Sequence, residues 1–278
     1  MKSDARSVTE RAAVAAGSPD RFGYEWHTYA EMRPEYEEQF RRWTPHMRPE
    51  DWRGVSFVDA GCGMGRNSYW PVRYGAARGM AIDVDSRSLA SARKTLEPYA
   101  NVTVRELSVY NLEPSSSYDV AFSIGVIHHL QEPLAALRAM VGVVKPGGKV
   151  LIWVYGRENN GWIVLGLTPL RKLLFSRIPI AFVHHLSLYP TALLWLFLRL
   201  SRGGIGYFRL LRQFTFRHMR SIVFDQMLPK IAHYWRRSEV EQLMHDAGLV
   251  NVELSWVNEM SWAASGVKTQ ETTGGPTS

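Results

Sequence analysis

Between Val55 and Val154, short apolar runs alternate with stretches whose apolar positions recur every three or four residues. The runs VSFVDA (55–60), RGMAI (78–82), VTVRE (102–106), YDVAFSI (118–124) and KVLIWV (149–154) predict strands; the stretches between them, notably 86–96 and 133–144, predict helices. Such alternation predicts parallel strands joined by right-handed helical crossovers. The fold class is therefore α/β, a doubly wound, mainly parallel sheet that binds ligands at the carboxyl ends of its strands. VKPGGKV is expected to close the fourth helix with a turn, leaving Lys149 to open the fifth strand.

The pattern divides the rest of the chain. Residues 1–20 are small and polar without a sustained period and predict a flexible lead; 21–53 are dense in aromatic and charged residues and predict a helical lid. Within that lid a helix is expected from Pro34 to Trp43, with Tyr36, Phe40 and Trp43 at helical spacing. The core spans 54–154, and a helical insertion of basic and apolar residues follows the fifth strand over 155–235. Residues 236–268 then complete the core. A helix opened by Ser238, with Glu241 three residues on as a capping box, is stopped by Gly248; a strand over 249–257 follows, and MSWAASGVK is its hairpin partner. The polar tail, 269–278, is expected to be disordered.

Composition narrows the setting. At 278 residues, 46% hydrophobic and 21% charged, the chain can bury a sizeable core. Its single cysteine, Cys62, excludes a disulfide framework, and the N-terminus lacks an apolar signal region, so a reduced cytoplasmic setting is expected. The net charge of +7 is unevenly distributed: from Asn159 to Phe224 there is no Asp or Glu, against nine Lys and Arg. Three readings of this insert stay open: a helical cap over an apolar pocket, a homodimer interface, and a peripheral contact with the inner face of the membrane. A transmembrane helix is not expected, because His184, His185 and Pro190 interrupt Ile178–Leu200 and its longest unbroken apolar run, ALLWLFL, has seven residues. No metal site is expected either. His184 and His185 are adjacent, which is poor ligand geometry.

The chemistry is signalled by FVDAGCGMGRNSYW (57–70), where three glycines at alternate positions follow a buried strand. Bare backbone lets a ligand approach the amides closely. The spacing is G-x-G-x-G with Arg at 66, which departs from the dinucleotide fingerprint G-x-G-x-x-G, and no Gly-Lys-Ser/Thr follows as a P-loop requires. VDAGCGMGR, MAIDVDSRSLASAR, YDVAFSIGVIHHLQEPLAALRAM and VVKPGGKVLIWVYG, in that order, resemble the motifs of the class I S-adenosylmethionine (AdoMet)-dependent methyltransferases, whose sheet is Rossmann-like, over about residues 55 to 156.

The resemblance implies AdoMet as cofactor. It places Asp59, Gly61 and Gly63 beside the methionine part, gives the ribose hydroxyls to Asp83 with Asp85 as reserve or as a helix cap, and brings the backbone of Ser123 and Ile124 to the methionyl amine. The family's usual adenine-binding acid is replaced by Ser108, with the Val109 backbone beside it. His129 or His128, just past the fourth strand, is a candidate general base, set against a packing role. Tyr24, Trp26 and Tyr29 are candidates for a lid over the acceptor, and Tyr155, Asp225, His233 and Tyr234 for its pocket. The expected activity is methyl transfer to oxygen or carbon of a small or lipid-like, largely apolar acceptor. N-methylation, a non-catalytic AdoMet-binding protein and a basic nucleic-acid-binding module are the alternatives; nucleic acid is disfavoured because SIGVIHHL stands where an N-P-P-Y motif would.

Overall fold

The computed structural model describes residues 18–200 and 211–270. The expectations for residues 1–17 and for the tail from 271 lie outside the described residues, as do Arg202 and Arg209 of the insert.

Seven strands form one sheet in the order β3-β2-β1-β4-β5-β7-β6. They are β1 (Ser56–Ala60), β2 (Arg78–Asp83), β3 (Val102–Glu106), β4 (Tyr118–Ile124), β5 (Val144–Tyr155), β6 (Leu249–Val257) and β7 (Ser261–Lys268). The first five run parallel, and β6 and β7 make the antiparallel hairpin at the far edge. The helices are α1 (Pro19–Thr28), α2 (Glu35–Trp43), α3 (Arg66–Arg73), α4 (Ser86–Leu96), α5 (Pro133–Val143), α6 (Ile180–Leu186), α7 (Leu188–Leu200), α8 (Phe216–Met227) and α9 (Arg237–Asp246). A helical run over 163–175 mixes π and α turns.

Both faces of the sheet are covered, which explains why β1 is buried at all five positions. Successive side chains point to opposite faces. Val58 and Ala121 join Leu137 and Met140 of α5 in one core, whereas Phe57 and Phe122 face the aromatic layer of Phe40, Trp43 and Trp52. The expected helical stripe Tyr36, Phe40, Trp43 is buried as one face of α2. Each such side chain contributes roughly 1.5–3 kcal/mol through removal from water.

Two local expectations differ from the structure. VKPGGKV is no turn after a helix: β5 begins at Val144, and its irregular first half is absorbed by a register shift between Tyr118 and Val120 of β4. The C-terminal helix begins at Arg237, before Ser238, because Glu239 turns back to accept from the Arg236 N–H at 2.6 Å. Gly248 does stop that helix, at φ +90°. Asp85 caps α4 by accepting from the Arg87 and Ser88 N–H groups.

The insert leaves and rejoins the sheet at one point. Gly156 bridges Trp235 in parallel, and the Trp235 N–H donates to Tyr155 O at 3.1 Å. Val183, Phe224 and Met227 of the insert pack with Tyr29 of the N-terminal segment. Arg21 of α1 also reaches Phe175 O at 2.7 Å. The N-terminal segment and the insert therefore meet above the carboxyl ends of the strands.

Candidate functional site

A cleft of about 240 Å³ opens at that junction. Its floor is the turn after β1, and Gly61 and Gly63 both line it with positive φ, +83° and +54°. A Cβ at Gly61 would stand 2.5 Å from Val126 Cγ2, and one at Gly63 3.0 Å from the Trp26 indole nitrogen, so both the conformation and the space require glycine. Asp83, at the end of β2, fixes this turn: its carboxylate accepts from the N–H groups of Gly63 (2.9 Å), Val84 (2.8 Å) and Asp85 (3.0 Å). Burial raises its pKa, while those three donors favour the charged form. Ser108, Val109 and Tyr110 after β3, and Ile124 and Gly125 after β4, continue the wall. A bare-backbone turn, one anchored carboxylate on the cleft lining and apolar flanks fit AdoMet, and these are the residues that would hold it.

Opposite stands a wall from α1, α2 and α8. Arg66, the first residue of α3, lies 4.8, 5.1 and 5.2 Å from the ring centroids of Trp26, Tyr36 and Trp43 and faces the cleft. Glu25 and Asp225 also face it. Glu25 is 1% exposed; Ser221 Oγ donates to its Oε1 at 3.3 Å, and its Oε2 has no donor. The Asp225 carboxyl stands close enough for its charge to act on Glu25. Burial and mutual repulsion raise Glu25 well above the usual carboxyl range. Burial also raises Asp225, against the donation of Tyr155 Oη to Oδ2 at 3.1 Å.

The structure distributes the sequence candidates unevenly. Gly61, Gly63, Asp83, Ser108, Val109, Ile124, His129, Trp26, Tyr155 and Asp225 share the cleft lining. Asp59 lies outside it, fully buried in β1, where it accepts from Ser68 Oγ at 2.6 Å; burial pushes its pKa up to about 7. Ser123 is likewise buried behind the wall, donating to Ala60 O at 2.7 Å. His128 packs between His129 and Tyr155, with ring centroids at 4.1 and 3.9 Å, and neither of its ring nitrogens has a partner. His129 Nδ1 meets Ile231 O at 2.8 Å, so it must carry the proton, leaving Nε2 as the acceptor. Burial lowers the His129 pKa to about 3, making it a weak base.

Tyr24 packs edge-on against Phe224, and Tyr29 bonds His184 Nε2 at 2.9 Å, both outside the cleft. His233 meets Leu130 O at 3.1 Å, and Tyr234 stacks on Tyr155 while accepting from Arg171 at 2.7 Å. These four support the wall from behind. Glu25, Arg66, Gln39, Ser221 and His218 line the cleft without having been singled out in the sequence. Arg66 directly follows the third glycine, which was a usable signal. Glu25 and Ser221 have none, since only tertiary folding brings α1 and α8 together. Among the described residues no cluster of His, Cys, Asp and Glu has metal-site geometry.

Residues 58–152 match the methyltransferase domain family. A curated relative, tRNA U34 carboxymethyltransferase of Shewanella amazonensis, is 24% identical over 164 residues, 52% of this chain and 48% of its own length. The chain thus spans about half the length of that relative. Among solved structures, an O-methyltransferase family protein from Burkholderia thailandensis aligns at 14% identity and TM-score 0.53, over 84% of this chain and 56% of its own. Magnesium protoporphyrin IX methyltransferase from Synechocystis PCC 6803, solved with bound SAH, aligns at 13% and 0.51, over 84% and 83%. Residues 58–152 of this chain thus form a methyltransferase domain, and the glycine turn with its Asp83 anchor fits AdoMet as its cofactor.

Proposed function

We propose that the protein transfers the methyl group of AdoMet to oxygen or carbon of a small or lipid-like, largely apolar acceptor. The observation that carries this reading is the two-sided cleft: a cofactor-type floor faces an aromatic wall that holds the buried Glu25 and the partly buried Asp225. AdoMet supplies an electrophilic methyl group on a sulfonium. The chain's own residues align and desolvate the acceptor and manage its proton, and alignment carries much of the rate. Trp26, Trp43 and Tyr155 exclude water. Asp225, beside Glu25, is the carboxylate that takes up the proton that the acceptor's hydroxyl or carbon acid delivers. Its raised pKa makes it a better proton acceptor near neutrality than His129.

Incubating cell extract with the protein and methyl-labelled AdoMet, followed by untargeted mass spectrometry, tests this. A labelled small apolar product is expected. Glu25→Gln and Asp225→Asn should each lower its formation about 10²–10⁴-fold and leave AdoMet affinity within a few-fold. Label recovered only in RNA would favour the substrate class named for the curated relative, and loss of AdoMet affinity in both variants would assign the pair to the cofactor instead.

A further inference from the structure

Twelve large apolar residues are exposed among the described residues, and eleven of them lie between Trp162 and Leu200. Five form a stripe on α7: Tyr189, Leu193, Leu196, Phe197 and Leu200, at the three- and four-residue spacing of one helix face. Leu193 is 71% exposed and Leu200 73%. Trp162, Leu165, Leu173 and Phe182 extend the apolar surface onto the preceding helical segments. A patch of this kind marks a surface that something covers.

Charge selects what covers it. From Asn159 to Phe224 the chain has nine cations and no anion, and Lys172, Arg177 and Arg199 are exposed beside the apolar residues. Two copies of this face would bring like charges together with no acid to separate them. A nucleic acid would satisfy the cations and leave the leucines in water. An anionic bilayer satisfies both, with headgroups for the cations and the acyl boundary for the stripe.

We propose that the insert docks on an anionic phospholipid surface, with the outer face of α7 lying in the headgroup layer. α6 and α7 together, Ile180–Leu200, are 21 residues and by length and composition apolar enough to cross a bilayer. Their inner side is nevertheless tied to the body of the protein. Val183 is fully buried, the Tyr29 hydroxyl bonds His184, and Arg220 donates to Ser187 Oγ at 3.2 Å and to His184 O. Crossing would break all of these contacts, whereas lying on the surface keeps them.

Flotation of the full chain with vesicles of phosphatidylglycerol and phosphatidylcholine tests the proposal, with phosphatidylcholine alone as the second arm. Binding is expected to the anionic vesicles, weakening as salt rises, and to be at least tenfold weaker for phosphatidylcholine alone. Leu193→Asn plus Leu196→Asn should abolish it, and Lys172→Gln plus Arg199→Gln should weaken it tenfold or more, with AdoMet affinity by calorimetry unchanged in both. The proposal is overturned if the intact protein stays unbound with anionic vesicles at low salt. It is equally overturned if light scattering finds a dimer that the Leu193→Asn, Leu196→Asn variant dissociates, which would make the face a contact between copies.

Discussion

The sheet and the insert are both rich in large apolar residues, and they place them on opposite sides. In the sheet, Phe57, Val58, Phe122 and Ile152 are fully enclosed, and outside the insert the one large apolar residue exposed among those described is Val250. In the insert the apolar stripe of α7 faces outward, while the inner faces of α6 and α8 carry the packing. Hydrophobicity therefore has two uses in one chain. In the core it supplies stability and holds the glycine turn and Asp83 in place; on the insert it supplies surface. The cleft lies where the two regions meet, its floor from the sheet and its opposite wall from α8 of the insert with α1 and α2 of the N-terminal segment.

The contrast can be tested by substitution, starting where the largest effect is expected. Asp83→Ala removes the anchor of the glycine turn and, in the proposed AdoMet site, the acceptor for two ribose hydroxyls, each charge-assisted bond being worth roughly 1.5–3 kcal/mol. AdoMet affinity measured by calorimetry should fall about 10²–10⁴-fold, and unchanged affinity would move the ribose contact away from β2.

Next in size is a pair of truncations of similar chemistry in the two regions. Phe122→Ala opens a hole between Phe40, Trp52 and Phe57 and should cost roughly 3–5 kcal/mol of folding stability. Leu193→Ala on α7 should change stability by no more than about 0.5 kcal/mol. Urea unfolding measures both, and equal losses would mean that the outer face of α7 is packed in solution.

A smaller effect comes from protons at the cleft. His129 is buried with a pKa pushed down to about 3 from the ordinary 6.5. The unfolded chain therefore takes up its proton first as pH falls. Its contribution is fully present above pH 6.5 and drains away toward pH 3, so moving from pH 7 to pH 5 should cost about 2 kcal/mol. His129→Gln should remove that part of the pH dependence, and an identical pH profile in variant and wild type would show that the ring is not enclosed.

The sequence by itself determined the parallel core, because strand and helix periods differ and alternate cleanly over 55–154. It determined the floor of the cleft for the same local reason: Gly61, Gly63 and Asp83 act through backbone geometry within one strand-turn-helix-strand unit. It also marked the insert, through a run of 66 residues without an acid. Tertiary structure decided the rest. Asp59 and Asp83 are both acids at the ends of adjacent strands, yet strand pleat and turn geometry put one behind the floor and the other in the cleft. His128 and His129 are neighbours in sequence, and packing puts only the second on the lining. Glu25 and Asp225 are 200 positions apart, and no local period can announce a pair that exists only because α1 and α8 pack over the same strand ends. Whether an apolar helix faces inward or outward is likewise decided by what packs beside it, since hydrophobic attraction has no direction of its own.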